Sequence, residues 1–203
     1  MLTCFQRCDI TSSGEIFLKG LVFVELLKMA EAAFGENKVD EVLDSVALPS
    51  GGSYTAVGYY ECAELVTLVD AFSRLSGISK PDLERQFGHW VMGAFKTGYP
   101  DFFEKYSTAF DMLEAIENDI HVEVRKLYPD AELPSFNTIR NADATLDLEY
   151  MSKRPLAHFC HGLVEACFTK YGQTAEIDMN DCSSDGRGHA KFHISPSVSH
   201  LDV

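Results

Sequence analysis

The sequence has no long apolar run, no secretory leader and few basic residues. No stretch approaches the roughly 20 apolar residues that a membrane-spanning helix needs, and the first residues lack the basic start and apolar core of a signal peptide. Lysine and arginine number 17 against 31 acidic residues, a formal net charge of −14. This charge would repel nucleic-acid phosphates and anionic membrane surfaces, so neither is an expected partner.

Regular cysteine spacing and the common catalytic motifs are also absent. The six cysteines form no disulfide framework, which favours reduced thiols and a cytoplasmic protein. The sequence contains no G-x-S-x-G, no G-K-[ST] and no H-E-x-x-H. An enzyme is therefore not expected.

The chain of 203 residues suits one domain with a single substantial core. Apolar periodicity and capping residues predict helices first, and strands with one further helix afterwards, which is the order of an α+β domain. The predicted helices cover 21–34, 38–47, 61–75, a segment from Ser79 to just before Gly98, 101–105, 108–128 and 155–171. The predicted strands cover 145–150, 174–179 and 190–194, with a turn at 185–188 between the last two.

One histidine stands at the edge of an apolar helical face. His121 accompanies residues spaced by three and four that form this face, and Pro129 ends the helix. The face consists of Ile116, Ile120, Val124 and Leu127. Taken by itself, His121 is more simply interpreted as a half-buried core residue than as a metal ligand.

A second motif follows about thirty residues later, where Tyr150, Ser152 and Arg154 alternate along an extended segment. Side chains at positions i, i+2 and i+4 of such a segment point to one side. Two hydroxyl groups and a guanidinium could therefore converge on carboxylates. Seen alone, the motif is better explained by an ion pair at a strand end beside a core tyrosine.

Together, the segments 119–134 and 150–154 resemble the H-NOX family of haem-nitric oxide/oxygen binding domains. The resemblance extends to Lys19-Gly20, Phe87-Gly88 and 99–103, and so covers residues 18–195. It implies a helical N-terminal subdomain followed by a small antiparallel sheet with one or two helices, with haem between them. Residues 1–17, which include Cys4 and Cys8, would then be an N-terminal extension, and 196–203 a C-terminal tail.

The resemblance also implies a cofactor and the residues that hold it. The cofactor would be haem b, ferrous iron protoporphyrin IX, with His121 as the axial iron ligand. Tyr150, Ser152 and Arg154 match the residues that bind the haem propionates. Pro134 matches a proline that keeps the haem distorted from planarity.

The gas-binding side of the haem would be lined by apolar side chains alone. Oxygen-binding members carry a tyrosine on the helix after the Y-x-S-x-R motif, and the corresponding residue here is Phe159. Bound dioxygen needs a hydrogen-bond donor in an apolar site, whereas bound nitric oxide is nearly neutral. Donors close in sequence, namely His89, Trp90 and His158, would undo this selectivity if they turned inward. The other pocket positions carried over from the family are Val22, Leu26, Val91 and Phe95.

The expected function is a nitric oxide sensor that also takes carbon monoxide. The resemblance implies that nitric oxide weakens the bond between His121 and iron, and that the long helix then shifts relative to the first. The partner would be a separate protein, a histidine kinase or a cyclic-di-GMP enzyme. One alternative is a haem-free or zinc-bearing interaction domain of the same fold; another is an oxygen sensor or a redox sensor based on Cys160 and Cys182. The zinc alternative rests on His158, Cys160, His161, Cys182, His189 and His193.

Overall fold

A computed structural model describes residues 16–197 of the chain. The N-terminal part is helical and includes a short antiparallel ribbon, in which β1 (Phe17–Lys19) pairs with β2 (Tyr59–Glu61). The helices of this part are α1 (Gly20–Phe34), α2 (Glu36–Ser45), α3 (Cys62–Ser76), α4 (Lys80–Gly98) and α5 (Pro100–Glu104). The helices predicted between residues 21 and 105 are all present, with shifts of one or two residues at their ends. The ribbon was not predicted, since three residues are too few for a period-two pattern to show.

Local signals start and stop these helices as the sequence indicates. Gly35 and Gly77 have φ angles of 83° and 73° and follow α1 and α3, because glycine tolerates the left-handed backbone that ends a helix. Ser79 caps α4, its Oγ accepting a hydrogen bond from the amide of Asp82 at 3.3 Å.

The predicted long helix over 108–128 is divided into three pieces. It consists of α6 (Ala109–Ala115), a π-helical turn (Ile116–Ile120) and α7 (His121–Leu127). Thr108 caps its start, accepting from the amide of Asp111 at 3.1 Å. A π-helical turn widens the helix by one residue without changing the apolar pattern much, so the sequence did not reveal it.

The C-terminal part is a four-stranded antiparallel sheet with α8 (Ala157–Lys170) packed beside it. The strand order is β3-β4-β6-β5. Strand β3 was not predicted from the sequence. Its Ile139 points outward, with 56% of its surface exposed, and this apolar residue on the outer face breaks the alternation of polar and apolar residues that indicates a strand. Positive φ angles at Asp185 and Gly186 form the predicted turn. The strands are β3 (Ser135–Arg140), β4 (Leu146–Ser152), β5 (Ala175–Asp181) and β6 (Gly188–Pro196).

Two apolar clusters fill the interior, one among the N-terminal helices and one between the sheet, α6 and α8. The half-buried Phe95 packs against both. Helices α4 and α8 cross closely because Gly88 and Gly162 leave room for the other helix's backbone. The α+β class and the order of its two parts are thus confirmed.

The predicted extension and tail concern residues that lie almost entirely outside the described ones. Of the extension, only Ile16 and Phe17 are described, and both belong to the folded part: the carbonyl of Ile16 accepts from the amide of Cys62 at 2.7 Å. Within α1, Ala33 is exposed, whereas Glu25 is buried. No helix in residues 16–197 is both long and apolar enough to cross a bilayer.

Candidate functional site

His121 begins α7 and turns its side chain into the protein, with 7% of its surface exposed. Its Nδ1 lies 3.2 Å from the Oε2 atom of Glu117, one turn earlier. Burial lowers the pKa of His121, and the Glu117 carboxylate acts in the opposite direction. A neutral imidazole that donates from Nδ1 keeps the lone pair of Nε2, and none of the described residues hydrogen-bonds that nitrogen. A histidine whose one ring nitrogen is held by a carboxylate has its other ring nitrogen oriented and available for a metal ion.

Arg154 is the second buried charged group, with 6% of its surface exposed. Its Nε donates to the carbonyl of Phe17 at 3.0 Å, and its Nη1 donates to the carbonyl of Glu132 at 2.8 Å. The closest carboxylate is that of Glu132, 3.5 Å away and half exposed. Its Nη2 also contacts the carbonyl of Phe17, so all three guanidinium nitrogens have acceptors. A guanidinium is a planar donor that can bind a carboxylate through two hydrogen bonds, so Arg154 has the chemistry to bind an acidic ligand group.

Tyr150 and Ser152 share the inner face of β4, but Arg154 lies in a bend after the strand ends. The three side chains therefore do not project from one continuous strand as expected. Burial raises the pKa of Tyr150, and a hydrogen bond with Ser152 acts against this shift. The Ser152 hydroxyl also accepts from the amide of Arg154 at 3.1 Å, so the motif remains one local unit.

Pro134 directly precedes β3 and is half-buried. Two residues later, the ring of Phe136 lies 5.7 Å from that of His121 and 5.5 Å from that of Tyr150, measured between ring centroids. The aromatic ring thus connects the histidine to the Tyr150 motif. Sequence reasoning missed Phe136 because it belongs to the unpredicted strand.

The five expected pocket residues come from three helices and meet in the N-terminal cluster. Leu26 and Val91 are fully buried there, and Phe159 packs against Phe87 with ring centroids 5.0 Å apart. Val22 and Phe95 are half-buried against the same cluster, and Phe95 also contacts the cluster that contains Tyr150. All five side chains are apolar, so this group offers no hydrogen-bond donor.

The three donors that could have turned inward bind elsewhere. The indole nitrogen of Trp90 donates to Glu25 at 2.9 Å. His89 lies 2.9 Å from the carboxylate of Glu165, and His158 lies 3.4 Å from that of Asp181.

Glu117 is the contact of His121 that sequence reasoning missed. Its spacing of four residues before His121 was visible in the sequence and places it one helical turn away. The carbonyls that bind Arg154 had no such signal, because any residue can supply a carbonyl.

The histidines and cysteines of the C-terminal part do not assemble into a metal site. Within residues 16–197, no three histidine, cysteine or acidic side chains are placed to hold a metal ion. His189 and His193 instead lie 2.9 Å and 2.6 Å from the carboxylates of Glu149 and Asp147. Cys160 is buried.

A cleft of about 850 Å³ lies between the start of α4, the end of α8 and β5, and none of the expected site residues lines it. Arg85 and His89, which line it, both bind Glu165.

The donor set around His121 and Arg154 fits haem. The imidazole of His121 offers a nitrogen lone pair to iron, and the buried guanidinium of Arg154 is a group that can donate two hydrogen bonds to a propionate. Apolar side chains suit the faces of a macrocycle.

Comparison with known proteins agrees with this chemistry. A family model described as haem-NO-binding matches residues 19–179. A comparison with curated proteins gave no match.

Solved structures share the fold over nearly the whole chain. An Fe(II) unliganded H-NOX mutant from K. algicida is 35% identical, covers 90% of this chain and 98% of its own, and has a TM-score of 0.84. An IWP-051-bound, Fe(II)CO H-NOX from Shewanella woodyi is also 35% identical, with coverages of 91% and 97% and a TM-score of 0.76. An Fe(II)NO H-NOX from S. oneidensis is 25% identical, with coverages of 89% and 99% and a TM-score of 0.81.

Proposed function

The chain belongs to the haem-NO-binding family, and we propose that it is a sensor that binds haem b and selects nitric oxide over dioxygen. The observation that carries this proposal is the buried, neutral His121, whose Nδ1 is bound by Glu117 while its Nε2 has no partner among residues 16–197. When bound, the haem supplies a ferrous iron at which a diatomic gas binds.

The protein's own groups hold and orient this cofactor. His121 would supply a ring nitrogen to the iron, and Arg154, with Tyr150 and Ser152, would bind a propionate. Pro134, whose backbone is fixed and which directly precedes β3, would contact the macrocycle, as the resemblance implies. The buried position of Arg154 strengthens its interaction with an acid, because water screens the charges poorly there.

Selectivity follows from the apolar residues of the gas-binding side. Dioxygen on ferrous iron gains negative charge and needs a donor, which Leu26, Val91 and Phe159 do not provide. The nearby Trp90 is held by Glu25. Nitric oxide and carbon monoxide are the expected ligands, and two of the similar H-NOX structures have Fe(II)NO and Fe(II)CO ligation states.

The signal is conformational. His121 begins α7 directly after the π-helical turn, so a change in its attachment alters the position of α7 relative to α1. The output is altered binding of a separate partner, a histidine kinase or a cyclic-di-GMP enzyme, and not a reaction catalysed by this domain. The described free thiols support a reducing compartment, the cytoplasm.

The test replaces the axial ligand. His121→Gly should lose haem when purified without imidazole and regain it when imidazole fills the space of the missing ring. The matched control is His193→Gly, which removes an exposed histidine paired with Asp147 and should bind haem like the wild type.

Haem content is measured by absorbance against protein concentration. Retention of a normal haem spectrum by His121→Gly without imidazole would contradict the assignment of His121. Absence of haem from the wild type, after expression with a haem precursor, would contradict the function.

A further inference from the structure

The carboxylate of Glu117 contacts three parts of the protein at once. Its Oε2 lies 3.2 Å from the Nδ1 of His121 and accepts from the amide of Phe136 at 3.1 Å. Its Oε1 lies 3.4 Å from the guanidinium of Arg125. Glu117 therefore joins the helix that carries His121 to strand β3.

The π-helical turn places Glu117 for this role. Glu117 is the second residue of Ile116–Ile120, and His121 is the first residue after it. A turn of this kind inserts a residue into the helix and changes the angle at which side chains leave it, and π-helical turns occur frequently at functional sites. Here it brings the carboxylate to both the His121 imidazole and the Phe136 amide.

We propose that Glu117 is a positioning residue that fixes the tautomer and ring orientation of His121 and strengthens it as an iron ligand. This inference rests on the proposed haem-binding function and adds a residue that sets the strength of the axial bond. A carboxylate that accepts from Nδ1 makes the other ring nitrogen a better electron donor.

The negative charge of the Glu117 carboxylate and its ability to accept a hydrogen bond have separate effects on His121. The acceptor selects the tautomer with the proton on Nδ1, whereas the negative charge enriches the imidazole with electrons and stabilises ferric over ferrous iron. Arg125 reduces the second effect, because its positive charge lies on the solvent side of the same carboxylate.

Two variants separate these contributions. Glu117→Gln keeps an acceptor for His121 or Phe136 and removes the charge; Glu117→Leu removes both. The matched control is Glu123→Gln, which removes a charge from α7 that pairs with the exposed Lys126 at 2.6 Å.

The first measurement uses the haem-free protein and ¹⁵N NMR of the His121 ring. Wild type, Glu117→Gln and Glu123→Gln should show the Nδ1-protonated tautomer, and Glu117→Leu a mixture of tautomers. The same single tautomer in Glu117→Leu would overturn the positioning role, and this result does not depend on whether the protein takes up haem.

The second measurement is the midpoint potential of the haem-loaded protein. Glu117→Gln should shift it to a more positive value and Glu117→Leu further, with a weakened iron–histidine vibration and a loss of haem affinity of about 10-fold for Glu117→Leu. Glu123→Gln should match the wild type. If the midpoint potential of Glu117→Gln equals that of the wild type, Glu117 does not strengthen His121 as an iron ligand, and its contact with Phe136 is only structural. Failure of the wild type itself to bind haem would instead contradict the proposed function.

Discussion

At the scale of single residues, four buried groups can carry a charge, and each is held differently. Glu25 binds Trp90 and Lys28, and Glu64 binds the hydroxyl groups of Ser50 and Tyr54. Arg154 is bound by two carbonyls and by the half-exposed carboxylate of Glu132, and His121 contacts Glu117 through one ring nitrogen. The other ring nitrogen of His121 has no hydrogen-bond partner among residues 16–197, so it is the atom available to a ligand.

Replacing Phe159 by tyrosine should make the haem-loaded protein bind dioxygen more tightly. A hydroxyl added to this ring would place a hydrogen-bond donor on the apolar side of the pocket, and a hydrogen bond to a charged acceptor contributes about 1.5–3 kcal/mol. The ferrous variant should therefore bind dioxygen at least about 10-fold more tightly than the wild type, measured by titration of the haem absorption with oxygen.

The matched control is Phe102→Tyr, a half-buried phenylalanine beside Tyr99 that is not among the five pocket residues. It should leave oxygen binding unchanged. Equal oxygen binding in the Phe159→Tyr variant and the wild type would show that the side chain at 159 does not face the gas.

Glu84 should make stability depend on pH. Burial raises its pKa from 4.5 to about 7, Asp181 adds to this effect, and Lys80 and the amide of Phe159 oppose it. The folded state therefore holds a proton that the unfolded state has lost between pH 4.5 and 7. Stability falls as the pH rises through this window, by about 1–3 kcal/mol.

Glu84→Gln should abolish this decrease and be more stable than the wild type at pH 8. Urea unfolding at pH 5 and pH 8 measures the effect, and Glu31→Gln, an exposed residue of α1, is the control. An unchanged pH dependence in Glu84→Gln would mean that Glu84 is not the group responsible.

The resemblance to H-NOX domains gave His121, Tyr150, Ser152 and Arg154 as candidate site residues, and the structure places Phe136 between the first two. The sequence could not show that Arg154 binds the carbonyl of Phe17, 137 residues away, because any residue can supply a carbonyl.

At the scale of elements, the crossing of α4 and α8 positions the pocket. A Cβ atom on Gly88 would collide with the carbonyl of Phe159, and one on Gly162 would collide with the carbonyl of Arg85. Neither obstacle is a flexible side chain. The spacing between the helices, and with it the position of Phe159, therefore depends on these two glycines.

Gly162→Ala should destabilise the fold by about 1–3 kcal/mol or more, because backbone must move to admit the methyl group. In a chain of this size a loss of about 1–3 kcal/mol would lower the melting temperature by about 2–12 °C. Gly93→Ala is the matched control: Gly93 lies in α4 with no atom near its Cβ position, and alanine there should stabilise by about 0.5–1 kcal/mol. Equal melting temperatures for the two variants would contradict the close crossing.

Most helices and strands could be predicted because residues near their ends mark where they begin or stop. Three features of the fold had no such marks and were not predicted. Ser79 and Gly77 mark helix ends by chemistry that acts within a few residues. The π-helical turn at Ile116–Ile120 and the ribbon of β1 and β2 depend on tertiary packing. Strand β3 was not recognised because its Ile139 is apolar but exposed, which breaks the alternating pattern.

At the scale of the whole molecule, a helical part and a sheet part meet around residues that contact both clusters. Phe95 packs against the two apolar clusters, and Arg154 links the strand that precedes α1 to the loop after α7. His121 belongs to the C-terminal side of this junction, and Leu26, Val91 and Phe159 to the other. A ligand held by both sides would couple their relative positions.

The most direct test of the central claim is the visible absorption spectrum of the ferrous protein, recorded without air, then in air, and then with nitric oxide. We predict a haem band that is unchanged by air and shifts when nitric oxide is added. A shift to a stable oxygen-bound spectrum in air would contradict the selectivity assigned to Phe159 and its apolar neighbours. The absence of any haem band would contradict the sensor function itself.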